Sequence, residues 1–249
     1  MKTFSYTIML AALLLFSACA KKKETPYDPS GARAAKVRSI TYGQTGTTET
    51  YTYDGQGRLE LLQSSAGNKI TYQYDSARIT QTNYAMTGDI SEITTLSLDS
   101  SGLATSSVVK DAAGNTLGSH MYTYNQGHKI SDISYSAGGE ETRKLEWNYG
   151  GNECWNYSIY DSGSVSKTYD YFYWYFYPGE TSLGNSNKGL DFWGKSSQLL
   201  TRKFQRRSYL YGDQEVSFEY ATDAQGRITE MKTLNHDGTL LYTDTYTYY

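Results

Sequence analysis

Two stretches decide the fold: Tyr51-Thr52-Tyr53-Asp54-Gly55-Gln56-Gly57-Arg58-Leu59 (YTYDGQGRL) and Phe218–Lys232 (FEYATDAQGRITEMK). In the first, Tyr51 and Tyr53 fall on one side of an extended chain and Thr52 on the other. An aspartate then begins a turn, because its carboxylate accepts from backbone N–H groups two residues on. A glycine completes the turn by taking the positive φ that other residues avoid. The second stretch repeats this order with Asp223-Ala224-Gln225-Gly226-Arg227-Ile228. Each therefore reads as strand, tight turn, strand.

Working outward, looser copies are Asp99-Ser100-Ser101-Gly102-Leu103 and Asn125-Gln126-Gly127-His128-Lys129-Ile130, and Asp75-Ser76-Ala77-Arg78-Ile79 lacks the glycine. Between them stands a second kind of turn, marked by Gly67-Asn68, Gly88-Asp89, Gly114-Asn115, Gly138-Gly139 and Asp237-Gly238. A spacing of about two dozen residues holds two strands and two turns, which is a meander of hairpins. Period-two alternation runs through Ile70, Tyr72 and Tyr74, through Leu145, Trp147 and Tyr149, and through Val216, Phe218 and Tyr220. The polar residues between them form the opposite face, and Tyr and Thr suit half-buried strands. About a dozen or more strands are expected, and so long a sheet must curl or close to protect its edges. The fold class is all-β, an antiparallel meander of repeated hairpins curled into a barrel-like sheet. The apolar face should line the interior.

Composition agrees. The chain has 249 residues, 15% aromatic, with 26 tyrosines, 23 Lys+Arg against 26 Asp+Glu, and only two cysteines. Two cysteines exclude a disulfide scaffold, the aromatics exclude wholesale disorder, and a net charge of −3 argues against nucleic acid.

The chain starts with Lys2, an apolar run Ile8–Phe16 and small residues Ser17-Ala18 before Cys19, the pattern of a secretory signal. Phe16-Ser17-Ala18-Cys19 resembles the lipobox of bacterial lipoproteins. That resemblance implies cleavage before Cys19, acylation of Cys19 and attachment to a membrane through the lipid. Ala20 at the next place implies sorting to the outer membrane, and Lys21-Lys22-Lys23-Glu24 favours the periplasmic side over the cell surface. The expected organisation is a signal peptide at 1–18, a flexible linker at 19–35 with Pro26 and Pro29, and one all-β domain at 36–249 with an irregular insert at about 178–200.

The Tyr51–Leu59 and Phe218–Lys232 blocks look like YD repeats of the Rhs type. Over nearly the whole mature length the chain also resembles a family of uncharacterised bacterial lipoproteins with a porin-like β fold, in which a Gly-Lys-Ser stretch precedes the last hairpins. Gly194-Lys195-Ser196-Ser197 stands in that place. The resemblance implies a porin-like sheet and assigns no chemistry.

No catalytic residue, metal ligand or cofactor is nominated. His120, His128 and His236 lack i, i+4 spacing and read as surface or turn residues. Gly184-Asn185-Ser186-Asn187-Lys188-Gly189 misses a nucleophile elbow by one residue. Cys154 reads as a buried structural thiol. The strongest local feature is the run Tyr169–Tyr177 (YDYFYWYFY), aromatic on both faces. It reads as a central strand that offers an aromatic platform where it meets the insert, with Tyr173, Trp174 and Tyr175 on the strand and Trp193 on the insert. Aromatic rings with polar handles suit a carbohydrate or peptide ligand. The expected function is thus non-catalytic binding or a structural role at the cell envelope. The alternatives are an envelope hydrolase with strand-borne carboxylates, or a transmembrane β-barrel.

Overall fold

The structure is a computed structural model in which residues 35–150, 153–161, 169–181, 185–196, 199–208 and 213–249 are described. The expected signal peptide, Cys19 and the expected linker up to residue 34 lie outside the described residues, as do the side chain of Cys154 and those of Tyr169–Phe172, Phe176 and Tyr177.

The strands are β1 (Val37–Thr41), β2 (Thr48–Tyr53), β3 (Leu59–Ser64), β4 (Lys69–Tyr74), β5 (Arg78–Tyr84), β6 (Ile90–Leu98), β7 (Ala104–Asp111) and β8 (Thr116–Asn125). They continue as β9 (His128–Ser136), β10 (Glu141–Gly150), β11 (Glu153–Asp161), β12 (Tyr169–Thr181), β13 (Leu199–Ser208), β14 (Gln214–Thr222), β15 (Ile228–Asn235) and β16 (Leu240–Tyr248). Each pairs antiparallel with its sequence neighbours, and β1 pairs with β16, so the meander closes into a barrel. Closure leaves no edge strand among the described strands. The expected insert is shorter than 178–200: β12 runs on through Pro178 to Thr181, and β13 begins at Leu199. The ladder slips between Phe176 and Thr181, where Pro178 has no N–H to give it.

The two kinds of turn are one. At Asp54, Ser64, Ala85, Asp99, Asp111, Ser136, Asp223 and Asn235 the residue's carbonyl accepts from the glycine three places on, and its N–H donates to the carbonyl four places on. The glycine has positive φ each time, from 76° at Gly226 and 78° at Gly57 to 97° at Gly67. The first residue differs because its side chain is an optional reinforcement: Asp54 and Asp223 Oδ1 each accept two further backbone N–H groups. The Asn125–His128 turn, read as a looser copy, is instead a two-residue reversal with Gln126 (φ 51°) and Gly127 (φ 85°) both left-handed.

Alternation assigns the faces. The outer face exposes Thr50, Thr52, Gln63, Gln73, Lys110, Thr123, Glu219, Lys232, Thr245 and Thr247. The inner face buries Val37, Ile40, Tyr51 and Leu59 in one cluster, and Ile79, Leu96, Ala104, Tyr122 and Phe192 in another. Tyr72 and Leu190 pack against both clusters.

Four of the tyrosines have a shared task. A β-bulge inserts one extra residue and leaves a carbonyl outside the ladder. Register shifts occur in most strand pairs, and four of them mark bulges beginning at Val37, Leu59, Thr201 and Ile228. The freed carbonyl accepts in each case from a tyrosine hydroxyl on the following strand. These are Tyr53 to Val37 at 2.7 Å, Tyr74 to Leu59 at 2.7 Å, Tyr220 to Thr201 at 2.9 Å and Tyr248 to Ile228 at 2.8 Å. A phenylalanine would bury the same ring and leave an oxygen unsatisfied, which is the reason for Tyr at these places.

Candidate functional site

Antiparallel pairing sends successive turns to opposite ends of the barrel. The Asp54, Asp99 and Asp223 turns share one end with the β12–β13 connection, and the Ser64, Asp111 and Asn235 turns lie at the other. The connection closes its own end from within. Its 3₁₀ turns Ser186–Lys188 and Asp191–Trp193 carry Phe192 and Leu190 into the lumen. On one wall Gly189 O accepts from Leu59 N (3.2 Å), and Asn187 Nδ2 donates to Ala35 O (3.2 Å). On another, Lys195 N donates to Gly127 O (2.8 Å). Gly189 and Gly194 permit this: both have positive φ, and a Cβ on Gly189 would lie 2.6 Å from Leu59 N.

Trp193 packs edge-on against Tyr122, with ring centroids 5.0 Å apart. The Lys129 ammonium lies 4.7 Å from both the Trp193 and Trp147 ring centroids and 3.8 Å from Asp132. Burial pushes Lys129 below its ordinary value, against the pull of Asp132. Beside it His120 Nδ1 meets Asp132 Oδ1 at 3.0 Å and Ser134 Oγ at 3.2 Å. Both partners meet the same ring nitrogen, so no relay runs from serine through imidazole to aspartate. His120 faces inward and His128 is buried, contrary to the surface placement read for them, because both sit on the inner side of their strands; His236 is exposed.

At the opposite end a cleft opens among the described residues. It has a volume of about 620 Å³ and is lined by Tyr42, Glu49, Leu62, Ile70, Tyr242 and Asp244, among others. Tyr42 and Tyr51 both donate to Glu49 Oε2, at 2.7 and 2.8 Å. Burial, then the Glu49 carboxylate, pushes the Tyr42 hydroxyl up to about 12. The Tyr51 hydroxyl is held well above its ordinary value, first by burial. Asp244 is 5% exposed, and its Oδ1 accepts from Gly43 N (2.9 Å). Lys188 approaches from the plug side; burial pushes it below its ordinary value, against the Glu49 charge.

The four residues of the expected aromatic platform are not brought together. Register carries Trp174 opposite Phe204 and Phe204 opposite Val216, on the same face of β14 as Tyr220, and Tyr220 pairs through Met231 with buried Asp244. Trp174 therefore faces inward, with its ring centroid 5.3 Å from that of Phe204. Tyr173 and Tyr175 face outward over Arg207 and Lys203, and Tyr175 is 40% exposed. Trp193 sits on the β8–β9 wall. Sequence reasoning missed Glu49 and Asp244. Their signal is position: each is an acid on the aromatic side of its strand, Glu49 with Tyr51 and Tyr53, Asp244 between Tyr242 and Tyr246.

Among solved structures, a porin-like protein from Bacteroides uniformis superimposes with TM-score 0.63 at 17% identity, over 86% of this chain and 98% of that one. A porin-like protein from Bacteroides vulgatus does so with TM-score 0.59 at 12% identity, over 86% and 99%. These likenesses establish the fold. No family model and no curated protein matches the chain.

Proposed function

We propose that the protein is a lipid-anchored binding protein of the cell envelope, acylated at Cys19, whose barrel stands in water and takes a carbohydrate into the open mouth of its lumen. The cleft carries this reading. It lies at the end opposite the plug, and its volume falls in the range of small-molecule sites. Tyr42 and Tyr242 offer rings, while Glu49, Asn68 and Asp244 offer polar groups for hydroxyls. A closed barrel has no free strand edge for an extended peptide to pair with, which favours a sugar. The exposed Thr, Gln, Lys and Glu of the outer face are unsuited to hydrocarbon, so the lipid at Cys19 supplies the attachment. Outer-membrane placement on the periplasmic side follows from Ala20 and the three lysines.

A second reading has one observation behind it. Two carboxylates, Glu49 and Asp244, line one cleft, and glycoside hydrolysis requires such a pair. Binding is preferred because Glu49 is committed to two tyrosine hydroxyls.

The test is to titrate the full chain, purified in detergent, against a panel of glycans and peptidoglycan fragments. Binding that Tyr242→Ala abolishes while the fold survives supports the reading. Failure of every glycan to bind overturns it, and release of shortened sugars transfers the site to the hydrolase reading.

A further inference from the structure

We propose that the sugar taken by this cleft carries a free, protonated amine; this rests on the carbohydrate reading above. Among the described residues, Glu49 and Asp244 are the only charged side chains lining the cleft. Each keeps one carboxylate oxygen without a protein partner among the described residues. Glu49 Oε2 accepts both tyrosine hydroxyls, and Asp244 Oδ1 accepts the Gly43 N–H. Neither acid is in an ion pair among those residues. Five other acids are in ion pairs: Asp132 with Lys129, Glu146 with Lys144, Glu215 with Lys203, Asp54 with Arg58 and Asp223 with Arg227. Asp75, Asp99 and Asp237 are in none among the described residues, but they are exposed turn residues.

Asp244 differs from those turn acids in its burial, at only 5% exposed. A buried carboxylate without a counter-ion is costly, and the cost falls when a cation enters. Lys188 of the plug feels the Glu49 charge but forms no ion pair with it among the described residues. Glu49 on β2 and Asp244 on β16 flank β1, which separates them by one strand in the closed wall. They thus face the lumen from adjoining sectors, with Tyr42 between. Such a mouth suits an ammonium seated between two carboxylates, with the sugar body lying against Tyr42 and Tyr242. An N-acetylated sugar has the same body but presents a neutral amide, which leaves both carboxylates uncompensated.

The experiment compares a glucosamine tetramer with its fully N-acetylated counterpart by calorimetry on the full chain, at about pH 5.5, where ordinary carboxylates are ionised. The free amine should bind at least tenfold tighter. Glu49→Gln and Asp244→Asn retain the hydrogen bonds to Tyr42, Tyr51 and Gly43, and should each erase most of that preference. Equal binding of the two tetramers overturns the ammonium inference and leaves the carbohydrate reading standing. Failure of both tetramers and of the glycan panel overturns both. Trilysine binding without either tetramer overturns the sugar assignment. The comparison of tetramers on the unaltered chain decides the matter even where a variant fails to fold.

Discussion

The backbone N–H of Lys195 donates to the carbonyl of Gly127 at 2.8 Å, joining the β12–β13 connection to a corner formed by β8 and β9. The two segments lie far apart in sequence. The receiving turn is also the one in which a non-glycine residue, Gln126, is held left-handed. Strain of that kind persists only where surrounding contacts hold it in place. Here the contacts are Gly194 and Lys195, so the plug and the turn secure each other.

Gly194→Ala should break this join. The new Cβ would collide with Gly127 O at a φ of 74°. A loss of about 2 kcal/mol is expected from positive φ together with overpacking. Urea denaturation gives the value, and faster protease cleavage within 185–196 would show that the plug has lifted. An unchanged cleavage rate would mean that Gly127 does not anchor it.

Tyr53→Phe should cost about 1 kcal/mol, since the ring stays buried while the Val37 carbonyl loses its donor. Tyr175→Phe, which gives up only a half-exposed bond to Gln205, should stay within about 0.5 kcal/mol of the parent. Equal losses in chemical denaturation would refute the capping of bulge carbonyls.

Phe192→Ala should cost about 3 kcal/mol or more, as removal of a buried aromatic does. Thermal unfolding should remain a single transition if the plug is part of the barrel core. A separate early transition would show an independent lid.

Acid should weaken the turns. Side-chain and backbone bonds from Asn115 hold Asp111 below its ordinary 3.8. At Asp223 burial pulls upward but is outweighed by the N–H groups and guanidinium of Arg227 and by Gln225. A carboxyl whose folded value is depressed stabilises the fold above its unfolded value and loses that contribution as pH falls through the folded one. Resistance to urea should therefore be steady above about pH 4 and decline below it. Asp111→Asn should flatten the decline, and an identical profile would assign it to other groups.

A chain starting at Ser30 should remain in solution without detergent, given the polar outer face. Aggregation that only detergent reverses would revive the transmembrane reading.

The hairpins, the inward side of strands such as Ile70–Tyr74 and Val216–Tyr220, and the positive φ of Gly57 and Gly226 were legible in the sequence because they are local: period two and a glycine three places after a turn residue suffice. The identity of the two turn kinds was hidden because they differ only in the first side chain, while the backbone bonds are the same. The platform of Tyr173, Trp174, Tyr175 and Trp193 was illegible for a different reason. Alternation already places Trp174 opposite its neighbours, but nothing local reveals that Trp193 crosses to Tyr122. Glu49 and Asp244 meet only because β1 pairs with both β2 and β16, a consequence of closure that neither segment announces.

At four bulges the capping tyrosine lies on the strand following the bulge: Tyr53 for Val37, Tyr74 for Leu59, Tyr220 for Thr201 and Tyr248 for Ile228; Tyr124, in the same place after the Ala104 bulge, caps nothing. Donor and acceptor thus travel together in one two-strand unit of roughly twenty residues. Duplication or loss of such a unit in the gene carries the whole pair with it, and no carbonyl is stranded at the new seam. Loss of a single strand would separate them and reverse the direction of every later strand. Barrels of this design are therefore free to drift in circumference across generations, in steps of two strands.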